Sequence, residues 1–129
     1  MNTIILFITI ISKLFFLGPN QNGFAFLLEK IDNQAIIYVN SQPVYDSKTV
    51  EGNPELELEI NLDAYLTDQK DTVKITLLNG GSSFVQKSSD KHWEVRYEFF
   101  QGYKTIDYRW ESGDDGQTGV VFEETYLID

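Results

Sequence analysis

The chain has 129 residues, and with 42% hydrophobic and 14% aromatic residues it can form one domain around a single core. Twenty Asp and Glu against ten Lys and Arg give a formal charge of −10, which repels phosphate backbones and excludes nucleic acid as a partner; a basic protein, a divalent cation or a neutral glycan remain. The absence of cysteine excludes a disulfide framework, a thiolate metal site and a cysteine nucleophile.

The first segment differs in texture from the rest. Ile4 to Leu17 is almost wholly apolar, interrupted by Ser12 and Lys13, and it leads into a polar, turn-rich stretch from Gly18 to Gly23. The run falls short of the about 20 apolar residues a transmembrane helix needs, but it has the length of a signal-peptide core. Gly23-Phe24-Ala25 offers small residues where a signal peptidase reads them. The expectation is a signal peptide over residues 1–25 and a mature domain over 26–129, secreted or periplasmic and not inserted in a membrane. A buried first strand or an uncleaved anchor is the alternative, since Lys13 interrupts the run and no Lys or Arg precedes it.

The remainder reads as strands separated by turns, with no long helical periodicity. "AIIYV" (35–39), Asn40-Ser41 and "QPVYD" (42–46) form a hairpin whose second strand is an edge, because Pro43 lacks a donor. In "ELELEINL" (55–62), Leu56, Leu58, Ile60 and Leu62 face inward and Glu57, Glu59 and Asn61 outward. Asp63 is placed to cap a short helical turn over 64–67. "TVKITLL" (72–78) alternates again, with Val73, Ile75 and Leu77 inward. The polar loop 79–91 carries a Gly-Gly pair but lacks the Lys-Ser/Thr of a phosphate loop.

"HWEVRYEFFQGYKTIDYRW" (92–110) concentrates seven aromatic rings in one hairpin. A two-residue turn at Gln101-Gly102 sets Trp93 against Trp110, Val95 against Tyr108 and Tyr97 against Ile106 on an apolar face. It sets Glu94 against Arg109 and Arg96 against Asp107 on a charged one. Most of the rings are then core, with Trp93 and Trp110 at the open end, either buried or lining a cleft. Phe100 and Tyr103 flank the turn as the exposed rings. These four are the candidate ligand contacts. A final strand (120–128) follows the acidic turn "ESGDDG".

"AIIYVNSQPVY" followed by "LELEINLDAYLTDQKDTVKITLLNGG" resembles the sugar-binding domain of family 2 glycoside hydrolases and related galactose-binding-like β-sandwiches. The counterparts are Val39-Asn40-Ser41, with Ser41 where Gly is usual, then Asp63-Ala64-Tyr65-Leu66, and the strand Val73 to Asn79. The resemblance spans Ala35 to Gly80 and implies a jelly-roll-like sandwich; in those hydrolases this domain does not hold the catalytic acids, so it implies no activity. The fold class expected is an all-β, antiparallel β-sandwich of one domain.

Catalytic signatures are missing: the single His92 has no nucleophile motif beside it, and its expected partner across the hairpin is Glu111. Glu111, Asp114 and Asp115, with flexible Gly113 and Gly116, are candidate Ca²⁺ ligands, although the spacing is not that of an EF-hand; the same residues also make a plain turn. No other cofactor is expected. The function expected is an exported, non-catalytic binding module with a glycan as ligand. The alternative is an acidic interaction or inhibitor domain that binds a basic protein.

Overall fold

The computed structural model describes residues 23–80 and 91–129. The apolar segment before Gly23 and the serine-rich part of the polar loop (81–90) lie outside the described residues. Eight strands run in the order β1 (Phe24–Asp32), β2 (Gln34–Val39), β3 (Gln42–Asp46), β4 (Leu58–Asn61), β5 (Asp71–Asn79), β6 (Trp93–Gln101), β7 (Lys104–Gly113) and β8 (Gly119–Ile128). They form an antiparallel β-sandwich of two four-stranded sheets. Sheet A has the order β4-β1-β6-β7 and sheet B the order β3-β2-β5-β8. Among the described residues no helix is long and apolar enough to cross a membrane.

The period-two alternation of the sequence becomes the core. Phe26, Leu28, Ile31, Val95, Tyr97 and Phe99 of sheet A meet Ala35, Ile37, Val39, Val73, Ile75 and Leu77 of sheet B, all at most 3% exposed. Each large side chain so buried contributes roughly 1.5–3 kcal/mol relative to exposure. Phe26 stacks on Phe99 at 4.7 Å, and Phe99 packs on Tyr126 at 4.6 Å. Leu28 and Ile60 point inward as their alternation requires, whereas Leu58 stays 37% exposed because β4 is an edge.

The turns follow local chemistry. Asn40 and Ser41 both take positive φ, 50° and 71°, as a two-residue hairpin turn with the strand twist demands. The Asn40 side chain accepts from the Thr72 backbone N–H at 2.9 Å and donates to Asp71 at 2.8 Å, tying this turn to β5. The expected helical turn is a single 3-10 turn, Asp63–Tyr65. Asp63 does not cap it. Its carboxylate accepts the Phe24 N–H at 3.1 Å, while Asn61 accepts the Asp63 N–H at 2.9 Å. Phe24 and Ala25 are the first rungs of β1, opposite Gln101 and Phe100, so a mature chain starting at Phe26 forfeits those rungs.

The β6–β7 hairpin departs from the expected register. Gln101 pairs with Lys104 and Phe100 with Thr105, so the turn is Gly102-Tyr103, with Gly102 at φ 59°. That displacement alone moves each partner by two residues and would preserve the faces. A bulge between Phe100 and Phe99 adds one unpaired residue, Ile106, and beyond it Phe99 meets Asp107, Tyr97 meets Arg109 and Arg96 meets Trp110. Every side chain of β7 past Ile106 is therefore on the opposite face from the one expected. Asp107, Arg109 and Glu111 point toward β8, and Tyr108 and Trp110 point away. β7 is the edge of its sheet, where inward charges and a bulge protect an open ladder from foreign strands.

Those inward charges close the seam between β7 and β8. The Tyr126 hydroxyl donates to Asp107 at 2.6 Å and lies 2.6 Å from the Tyr97 hydroxyl. Arg109 reaches Asp107 at 3.3 Å and Glu124 at 2.5 Å, with its guanidinium 5.5 Å from the Phe122 ring centre. Burial lifts both phenols above the ordinary tyrosine range, so both keep their protons.

Candidate functional site

The outer face of sheet A carries the exposed rings that the bulge created. Trp110 is 58% exposed and Tyr108 50%, two residues apart on β7 and so about 7 Å apart along the strand. Trp110 is not a loose ring. Its indole lies over the Arg96 guanidinium, 5.0 Å from ring centre to charge, and its N–H donates to Glu94 at 2.5 Å. The ring is thus held at one face and one edge while the other face meets solvent.

The supports are themselves braced. Arg96 pairs with Glu29 at 3.1 Å and with Glu55 at 2.6 Å, and Lys30 also reaches Glu55, at 3.1 Å. The bulge in β1 between Leu28 and Lys30 sets Lys30 opposite Arg96. Glu94 accepts from Asn53 at 2.9 Å and contacts His92 at 3.2 Å, and the other His92 nitrogen is 2.6 Å from Asp114. Partial burial pushes Glu94 up, but hydrogen bonds from Asn53, Trp110 and His92 outweigh it and hold the carboxyl at about 2. The hydrogen bond to Asp114 raises His92 despite some desolvation, and Glu94 adds to the rise. A chain of contacts, Asp114–His92–Glu94–Trp110, therefore runs from the β7–β8 turn to the exposed indole.

The four candidate contact rings separate. Tyr103 is 60% exposed in the turn. Phe100 is not exposed: it is 1% accessible, between Ala25 and Thr105 in the register. Trp93 is half-buried and faces the core, opposite Gly113 rather than Trp110. Trp110 points outward, so the two tryptophans do not form a pair. Tyr108, assigned to the core from sequence, belongs to the exposed set. Nothing in the local pattern marks Ile106 as a bulge, so no signal identified Tyr108. The seven titratable residues beneath and beside Trp110 come from β1, β6 and three loops, a grouping only the fold reveals.

The candidate calcium ligands also part. Glu111 contacts Arg109 at 3.4 Å, Asp114 contacts His92, and Asp115 accepts the Gln117 backbone N–H at 3.0 Å. Among the described residues no group of three or more His, Asp or Glu is placed to hold a metal ion. His92 meets Asp114 and Glu94 instead of Glu111, and the two carboxylates against its ring nitrogens favour the protonated form.

The residues that carried the family resemblance have structural tasks. Asn40 and Asp71 lock the β2–β3 turn, Asp63 holds the start of β1, and Asn79 donates to the Gln117 carbonyl at 2.7 Å. An open acidic cleft of about 580 Å³ lies beside Asp63 and Asp71, but Asp71 is already saturated by Asn40 and Thr67. No protein-family model, curated protein or solved structure matches the chain.

Proposed function

We propose that this protein is an exported, non-catalytic binding module that holds a glycan on the outer face of sheet A, with Trp110 and Tyr108 as the stacking surface. The observation that carries this reading is the braced indole: Trp110 lies on Arg96, bonded to Glu94, with 58% of its surface open. A ring already fixed in place loses little conformational entropy on binding, which is what a stacking platform requires. Pyranose C–H faces suit such a ring, and the surrounding carboxylates are acceptors for hydroxyl donors. The resemblance of residues 35–80 to galactose-binding-like sandwiches points the same way, and the apolar segment before Gly23 supports export.

The test is a glycan array followed by titration of the wild type and three variants. Trp110→Ala and Tyr108→Ala should each weaken binding about five- to 150-fold, in line with the ~1–3 kcal/mol of an aromatic stack. Phe100→Ala, at a buried ring, should affect stability more than affinity. Full affinity in Trp110→Ala would reject the platform.

A second reading has one observation of its own, the charge of −10, which suits an interaction domain for a basic protein. A pull-down from the native host that recovers a basic protein through the same Trp110 surface would favour it.

A further inference from the structure

The charges around Trp110 are unevenly displayed. The two fixed cations lie low: Lys30 and Arg96 have side chains only 15% and 18% exposed, and Glu29 and Glu55 engage them. The anions stand high. Glu55 is 69% exposed and bonds Arg96, on which the ring rests, while Asp114 is 83% exposed and reaches the ring through His92 and Glu94. The free face of an indole is itself the negative end of its quadrupole. A ligand approaching Trp110 thus meets π density flanked by outward carboxylates, with Lys30 and Arg96 underneath and His92, 40% exposed, held between Asp114 and Glu94.

We propose that this surface selects glycans bearing free, protonated amino groups over their neutral and anionic counterparts. The proposal rests on the glycan reading above and specifies its ligand class. A sugar ammonium beside the ring gains a cation–π contact and an ion pair with Glu55 or Asp114, while the sugar's C–H face keeps the stack. Acetylating the amine removes the first two and leaves the third.

The experiment is calorimetric titration of the full chain, at one mildly acidic pH, with a glucosamine oligomer, its N-acetylated counterpart of equal length, a galacturonate oligomer and polylysine. The glucosamine oligomer should bind roughly tenfold more tightly than the acetylated one, as one or two partly exposed ion pairs provide, and galacturonate most weakly. Added salt should shrink the difference. Glu55→Gln and Asp114→Asn, which keep side-chain shape, should each narrow the ratio about threefold. Equal affinity for the amine and its acetylated form, lost in Trp110→Ala, would overturn the amine preference and leave the glycan reading standing. Polylysine binding that exceeds every glycan and depends on Trp110, or no glycan binding at all, would overturn both.

Discussion

Replacing Tyr126 by Phe should destabilise the sandwich more than replacing Tyr97 by Phe, although Tyr97 is the more deeply buried. The single proton of the Tyr126 hydroxyl goes to Asp107 at 2.6 Å, so in the equally short contact between the phenols Tyr97 must be the donor. Tyr97→Phe removes that donor together with its need for a partner, and Tyr126 keeps Asp107. The loss should be that of one net hydrogen bond, about 0.5–1.5 kcal/mol. Tyr126→Phe strands the Tyr97 hydroxyl at a position that is 0% exposed and takes a donor from Asp107 as well. An unpaired buried hydroxyl costs about 1–3 kcal/mol, and with the hydrogen bond lost from Asp107 the sum is about 1.5–4.5 kcal/mol. The double variant removes the stranded group and should fall short of additivity by about 1–2 kcal/mol. Urea unfolding followed by tryptophan fluorescence, with m-values held equal, supplies all four corners of the cycle. If the two single changes cost the same and simply add, the hydroxyls are independent and the assigned direction of the bond is wrong.

The hairpin register has its own contrast: Tyr97→Ala should lose ~3–5 kcal/mol, as aromatic truncations in a core do, and Tyr108→Ala under about 1 kcal/mol in the same unfolding assay. Gly113→Ala should destabilise by ~1–3 kcal/mol and alter near-ultraviolet circular dichroism, because a Cβ there would sit 2.5 Å from Trp93 Nε1, on a ring packed against the core. A melting curve against pH should show two limbs. Glu94, held at about 2 in the fold against an ordinary 4.5, contributes stability above 4.5 that is lost as pH falls toward 2; Glu94→Gln should flatten this acid limb. His92, raised above 6.5, contributes stability that is complete below 6.5 and lost as pH rises through its folded value; His92→Gln should flatten that limb.

The central strands were legible because both of their neighbours and one whole face are fixed by the core. Alternation in "TVKITLL" places Val73, Ile75 and Leu77 inward, and each is 0% exposed. The Asn40-Ser41 turn was legible for the same local reason, since few residue pairs take two positive φ values. Edge strand β7 was not. Its pattern "TIDYRW" fits either face equally well, and a single unpaired residue, Ile106, decides which. Cross-strand pairing within the hairpin favours the inverted register, because that register sets Glu94 against Arg109 and Arg96 against Asp107. In the fold Arg109 finds Asp107 on its own strand and Glu124 on the other sheet, and Arg96 finds Glu29 and Glu55; of these four partners the hairpin alone contains only Asp107. Alternation alone thus puts Trp110 on the wrong side of the sheet and gives Phe100 an exposure that its burial denies.

The two tryptophans offer the most direct test of the surface, since each contributes one indole N–H resonance to the spectrum of labelled protein. Titration with the best-binding glycan should shift the Trp110 signal, identified by its absence in Trp110→Phe, and leave the Trp93 signal in place, because Trp93 faces the core and Trp110 the solvent. A shift of Trp93 with Trp110 unmoved would contradict both the binding face and the register that created it.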